Sequence, residues 1–196
     1  MTENKRCDVV IAGVGGQGIL LASSIIGAAC IGEGLPVRGS ETHGMSQRGG
    51  SVEAHVRIGC EYGPRVPRGK ADVFLAFEPL EAARFAGYLK EGGFAAVNTR
   101  PVVPAGTTYP EVAELVDIVG RRAGTVVADD FTEIAAGLGS VRVLNVLLLG
   151  IAAAGFPIKE STLSEAVEEM VKPAFREMNR GAFSRGTAIR SATSGR

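Results

Sequence analysis

Cysteine and histidine are scarce in this chain: three cysteines (Cys7, Cys30 and Cys60) and two histidines stand among 196 residues. No two cysteines fall in a C-x-x-C spacing, so neither a zinc site nor an iron–sulfur cluster is written here. An odd, sparse count also argues against a secreted disulfide framework. With two histidines and no third ligand in view, a metal site is not expected. Charge of one sign is lacking as well. The 21 basic residues are balanced by 21 acidic ones, whereas a nucleic-acid-binding domain carries a clustered basic excess. Long apolar runs are missing too. The stretch 143–154 is interrupted by Asn145 and Gly150 and is too short to span a bilayer. The first apolar run, Val9-Val10-Ile11-Ala12, is too short for a signal-peptide core. A cytoplasmic location follows by elimination. No G-x-S-x-G elbow or Cys–His pattern points to nucleophilic catalysis.

Glycine, by contrast, is abundant at 27 residues, and it gathers in two short stretches, which makes it positional rather than compositional. The length suits one domain able to bury its own core without staples. We assign that single domain to residues 1–190 and expect 191–196 to be a disordered tail. Residues 8–12 read as a buried strand, 13–18 as a turn, 19–32 as a helix and 35–38 as a second strand. That order is a βαβ unit and favours a parallel sheet. In 51–58 the rhythm changes. Val52, Ala54, Val56 and Ile58 alternate with Ser51, Glu53, His55 and Arg57, as in a half-buried, antiparallel strand. His55 then lies on the polar face as an ordinary surface or interface histidine. Further strands are expected at 73–77, 94–97 and 125–128, with helices at 79–90 and 111–122. The stretch 141–155 is apolar almost all round and reads as a buried or interface helix. It has more apolar surface than a small domain needs, which favours self-association. A capping box at Thr162 and Glu165 opens another helix. Residues 175–189 read as a basic C-terminal arm, helical at first.

Gly13, Gly15 and Gly18 fit G-x-G-x-x-G between a strand and a helix, with Gly16 and Gln17 between them. The glycines allow a tight turn, and the helix start offers N–H groups to an anion. One reading is a phosphate site for a nucleotide or coenzyme A, held by Gly13, Gly15, Gly16, Gln17 and Gly18. The other is a packing turn that lets helix and strand meet closely. A dinucleotide site wants an acidic residue ~20 positions on. Arg38 stands there instead, which weakens NAD and leaves NADP or coenzyme A open.

The second stretch is Glu41-Thr-His-Gly-Met-Ser-Gln-Arg-Gly-Gly50. It follows strand two, at the carboxyl edge where open α/β sheets bind ligands. Arg48 suits a carboxylate or phosphate. Glu41 and His43, two apart, could share a side and handle protons. The competing reading is a structured loop whose polar groups satisfy one another and a neighbouring subunit.

Together these stretches carry a family resemblance. Ala12-Gly-Val-Gly-Gly-Gln-Gly-Ile-Leu20, the segment 41–52 and Ala54-His-Val-Arg-Ile-Gly59 resemble the gamma-type subunits of 2-oxoacid:ferredoxin oxidoreductases. Looser matches are Asp72-Val-Phe-Leu-Ala-Phe-Glu78, Asn145 and the stretch 172–183. The H-G-M-x-Q-R-G-G form is similar to the indolepyruvate branch. The resemblance implies a three-layer α/β/α, Rossmann-like domain with a mostly parallel, mixed sheet. It implies a small subunit that holds no redox cofactor and is inactive when isolated, as part of an enzyme that decarboxylates a 2-oxoacid to acyl-CoA. Thiamine diphosphate and iron–sulfur clusters are then expected on a large partner subunit, with ferredoxin as acceptor and coenzyme A a possible contact. Glu41, His43, Gln47 and Arg48 would lie at the junction with that partner. The chain lacks the G-D-G of thiamine sites, in keeping with this. A stand-alone NADP- or CoA-binding module is the alternative.

Overall fold

The computed structural model describes residues 6–43, 50–104 and 106–194, with the side chains of 43 and 194 left aside. It contains a six-stranded sheet, and its strands run along the chain as β1 (Cys7–Val14), β2 (Val37–His43), β3 (Ser51–Ile58), β4 (Ala71–Ala76), β5 (Leu89–Asn98) and β6 (Ala123–Asp129). In space the order is β2-β3-β1-β4-β5-β6. The pairs β1–β4, β4–β5 and β5–β6 are parallel, while β3 lies antiparallel between β1 and β2. The helices are α1 (Ile19–Gly32), α2 (Pro79–Phe85), α3 (Val112–Gly120), α4 (Phe131–Gly137), α5 (Leu144–Ala152), α6 (Glu160–Met170) and α7 (Arg176–Ser194).

Alternation along each strand divides the core in two. Val9 and Ile11 of β1, and Val73 and Leu75 of β4, join α1 and α4 to α7 on one face. Val10, Ala12, Phe74 and Ala76 join α2 and α3 on the other. The result is the three-layer, mixed α/β/α architecture expected from the sequence. The βαβ reading needs one amendment. β1 and β2 do run the same way, but β3 is inserted between them and pairs with both.

β3 is not half-buried. Its residues from Val52 onward are all buried, His55 being only 1% exposed. The segment 59–70 covers the expected polar face, with Val66 tucked into the α2-side core. Buried charges on that face are paired. Arg57 Nε donates to Asp8 Oδ1 at 2.8 Å, and Arg65 donates to Glu53 Oε1 at 2.7 Å. The Val66 N–H donates to His55 Nδ1 at 3.3 Å, and Tyr88 packs edge-on against the imidazole at 5.0 Å. An alternating pattern reports chemistry on two faces, not which one meets water.

Other differences lie at element ends. α2 stops at Phe85, and β5 begins at Leu89, where a strand was expected only from 94. Gly87 weakens the helix, and Tyr88 turns inward to His55. α4 was not anticipated, although Asp130 caps it by accepting from the Glu133 N–H at 2.9 Å. α6 starts at Glu160, so Thr162 lies inside the helix rather than at its cap.

The largest departure is α7. It is a 19-residue helix reaching Ser194, where the sequence suggested an arm helical only at first. It packs across α5, all of whose residues are buried. The crossing depends on two glycines. A Cβ on Gly150 would meet the Phe183 carbonyl oxygen at 2.3 Å, and one on Gly186 would meet the Leu147 carbonyl oxygen at 2.3 Å. Backbone therefore touches backbone. Because α7 covers α5, residues 143–153 of the apolar stretch are core, and the argument for self-association from it loses most of its basis.

Candidate functional site

The site begins where the chain leaves β1. From β1 the chain passes through α1, on one face, to β2; from β4 it passes through α2, on the other face, to β5. β1 and β4 are neighbours, so their carboxyl ends form the point where the winding reverses. Ligands of open α/β folds bind in the crevice at that point. The turn 13–18 lies there.

The glycines are required by geometry. Gly18 is the N-cap of α1 with φ 83°, in the left-handed region, and a Cβ on it would meet Asn145 Nδ2 at 2.7 Å. A Cβ on Gly13 would meet Gln17 Oε1 at 2.6 Å and Phe77 Cβ at 2.7 Å. Gln17 fills the crevice with its own side chain. Its Oε1 accepts from the Val14 N–H at 2.8 Å, and its Nε2 donates to the Phe77 carbonyl at 2.9 Å. The Phe77 carbonyl also accepts from Asn98 Nδ2 at 2.9 Å. Asn98, fully buried, in turn bonds Thr132 at the start of α4. One oxygen thus joins the glycine turn, the end of β4 and the end of β5.

Two more turn amides have partners inside the chain. Gln17 N–H donates to Val14 O at 3.3 Å, and Gly15 N–H donates to Gly50 O at 2.9 Å. The second bond brings together the two stretches singled out in the sequence, with Val14 opposite Ser51 in the β1–β3 register.

Glu41 and His43 lie on β2, which runs further than expected, and not in a loop. Glu41 pairs with Ala54 and His43 with Val52 across the β2–β3 ladder. Exposed Glu41 accepts from Ser23 Oγ of α1 at 2.7 Å, so its carboxylate is held by the helix. Gln47 and Arg48 lie outside the described residues. Arg38 is exposed and donates to the Glu61 carbonyl at 3.0 Å, tying β2 to the segment 59–70.

Two residues of this edge drew no role from the sequence. Glu78 is buried and caps α2, accepting from the Glu81 N–H at 3.0 Å, the Val102 N–H at 3.1 Å and the Tyr109 hydroxyl. Burial, with Glu78 beside it, pushes the Tyr109 phenol well above its usual range. Glu81, also buried, accepts from Ser51 Oγ and from Arg84 at 2.8 Å. The signal was local: an oxygen-bearing side chain immediately before Pro79 marks an N-cap. Among the described residues no group of three or more His, Cys, Asp or Glu could hold a metal ion. No helix among them is long and apolar enough to cross a membrane.

Fold and site together define a doubly wound α/β domain with a glycine turn at its switch point. Comparison with known proteins gives the family: residues 8–189 match the model of the pyruvate ferredoxin/flavodoxin oxidoreductase family, and the chain belongs to it. It is 43% identical to indolepyruvate oxidoreductase subunit IorB of Thermococcus kodakarensis, over 93% of this chain and 95% of that one. It is 40% identical to the IorB subunit of Archaeoglobus fulgidus, over 97% of this chain and 98% of that one. Among solved structures, the gamma subunit of a keto/oxoacid ferredoxin oxidoreductase from Geobacter sulfurreducens superposes with a TM-score of 0.72 at 26% identity, covering 95% of this chain and 99% of that one. The 2-oxoglutarate:ferredoxin oxidoreductase from Magnetococcus marinus, solved with 2-oxoglutarate, coenzyme A and succinyl-CoA bound, also gives 0.72 at 26% identity, with 97% of this chain matching 32% of that one.

Proposed function

We propose that this chain is the small subunit of an indolepyruvate-type 2-oxoacid:ferredoxin oxidoreductase, and that it supplies a rigid docking face while a large partner brings thiamine diphosphate and iron–sulfur clusters. The observation that carries the reading is the 38–43% identity to four IorB subunits along nearly their whole length, against 28% to 2-oxoglutarate synthase subunit KorC. The geometry supports a docking role in preference to a phosphate site. Three turn amides, of Val14, Gly15 and Gln17, are already satisfied within the chain, so the turn does not fit a pyrophosphate cradle at those positions. Of the two readings of the glycine motif, this favours the packing turn. It also disfavours a stand-alone NADP- or CoA-binding module, which would need those donors. We place coenzyme A, when it approaches this chain, at the junction bearing Glu41, His43, Gln47 and Arg48 rather than in the turn.

The work of the chain's own residues is then positional. Gln17 and Asn98 fix the carboxyl edge, Ser23 fixes Glu41, and the Gly15–Gly50 bond ties the glycine turn to the start of β3. The test is reconstitution. The chain mixed with its large partner should reduce ferredoxin in the presence of indolepyruvate and coenzyme A, and the chain alone should not. Arg48→Ala should lower turnover of the complex about tenfold or more, as loss of a charge-assisted contact does, with an unchanged melting temperature. Turnover by the isolated chain, or no association with any thiamine-bearing subunit, would overturn the reading. Wild-type turnover in Arg48→Ala would remove Arg48 from the junction.

A further inference from the structure

Beside the glycine turn lies a groove of about 390 Å³ that the reading above does not use. Leu21 of α1, Val143, and Val171 and Met178 near the ends of α6 and α7 form its apolar lining. Its inner end abuts the turn, because Asn145, a lining residue, reaches the Gly18 carbonyl at 3.4 Å. Arg142 and Lys172 stand on its rim, both exposed. Neither side chain has an acidic partner among the described residues, and the lining contains no carboxylate. The lining itself thus carries two positive charges and no negative one. On neighbouring α6, Glu168 is already engaged by Arg180 at 2.9 Å.

The apolar surface does not end at the groove. Val141 is 53% exposed, Phe175 47% and Met170 39%, and Phe175 and Met170 line the groove while Val141 adjoins Arg142. A small molecule seated inside would leave these outer side chains in water. A length of polypeptide lying along the groove would cover them. Aromatic residues, Met and Arg are the residues enriched in interface cores, and unpartnered cations select a partner of opposite charge.

We infer that this groove, framed by Arg142, Lys172 and Phe175, is the docking site for an apolar segment of the large subunit that carries acidic side chains. The inference rests on the proposed function, since it names the surface through which that partner is held. It also extends the docking face from the end of β2, past the glycine turn, to the start of α7.

The experiment uses the full chain and the separately purified large subunit, with the dissociation constant measured at low and high salt. The double variant Arg142→Glu/Lys172→Glu should weaken association roughly 100-fold or more and flatten its salt dependence. The variant Arg142→Lys/Lys172→Arg should bind within about threefold of wild type, as charge is kept at an exposed rim. Phe175→Ser, at a half-exposed site, should weaken binding on the order of tenfold or more. Amide exchange across 170–178 should slow in the complex. Circular dichroism of each variant reports folding independently. Unaltered affinity in the charge-reversed and Phe175→Ser variants, or unprotected amides at 170–178 in an otherwise intact complex, would overturn the groove while leaving the proposed function standing. Binding of the probe indole-3-acetate in the groove with equal affinity in free chain and complex would likewise overturn it, in favour of a small carboxylate. Failure of the wild-type chain to associate at all would overturn both.

Discussion

His55 illustrates how far a single residue can depart from its sequence reading. On pattern it belonged to a solvent face; in the fold it is sealed under 59–70. Burial lowers its pKa from the usual 6.5, opposed by the neighbouring Glu53 carboxylate and reinforced by Arg65. Geometry gives the same sign. Nδ1 accepts from the Val66 N–H, so the proton sits on Nε2, which is 3.7 Å from Glu53 Oε1 and has no hydrogen-bond partner among the described residues. Protonating Nδ1 would set two donors against each other. The unfolded chain therefore binds this proton more readily than the folded one. Its contribution to stability is complete above the unfolded pKa of about 6.5 and is lost as pH falls from there through the depressed folded value. Urea unfolding at a series of pH values should show this decline, and His55→Gln should flatten it. An unchanged slope in the variant would assign the decline elsewhere.

Elements were legible in proportion to how much of their signal was local. The strand–turn–helix at the start and the apolar stretch of α5 are written in nearby residues; the caps at Glu78 and Asp130 are equally local signals but went unread. The place of β3 between β1 and β2 is not, since pairing order depends on contacts distant in sequence. α7 was misjudged for another reason. Its buried stripe is Asn179, Ala182, Phe183 and Gly186, which has helical spacing but little hydrophobic bulk, because the crossing with α5 needs small residues there. Ala182 and Gly186, four apart, were the available clue. Gly186→Ala should accordingly destabilise the domain by about 1–3 kcal/mol, although alanine is the better helix former. Adding Gly150→Ala should cost less than the sum of the two, because both act at one contact. Denaturation midpoints of the single and double variants check both statements, and a stabilised Gly186→Ala would contradict the crossing.

At the scale of the whole molecule, the carboxyl edge of the sheet was foreseen as the place of interest, and the two glycine-rich stretches do meet there. What the sequence could not convey is that the crevice is closed by the chain's own Gln17, since a side-chain amide reads the same whether it faces a ligand or a backbone. Nor could it convey that, in the far helical layer, α7 shields α5. Removal of residues 176–196 should expose the buried face of α5, including Leu147 and Ile151, both 0% exposed in the intact domain. The shortened chain should bind a hydrophobic dye and lose cooperative melting. A sharp, wild-type-like transition would show that α7 is dispensable.

The Phe77 carbonyl, which receives both Gln17 and Asn98, is a junction made of main chain. No substitution at position 77 can delete that oxygen; it can only disturb the ring beside it. A mutational survey would register the joint at its two donors, 60 and 21 positions away in sequence, and those distant sites should behave as a linked pair.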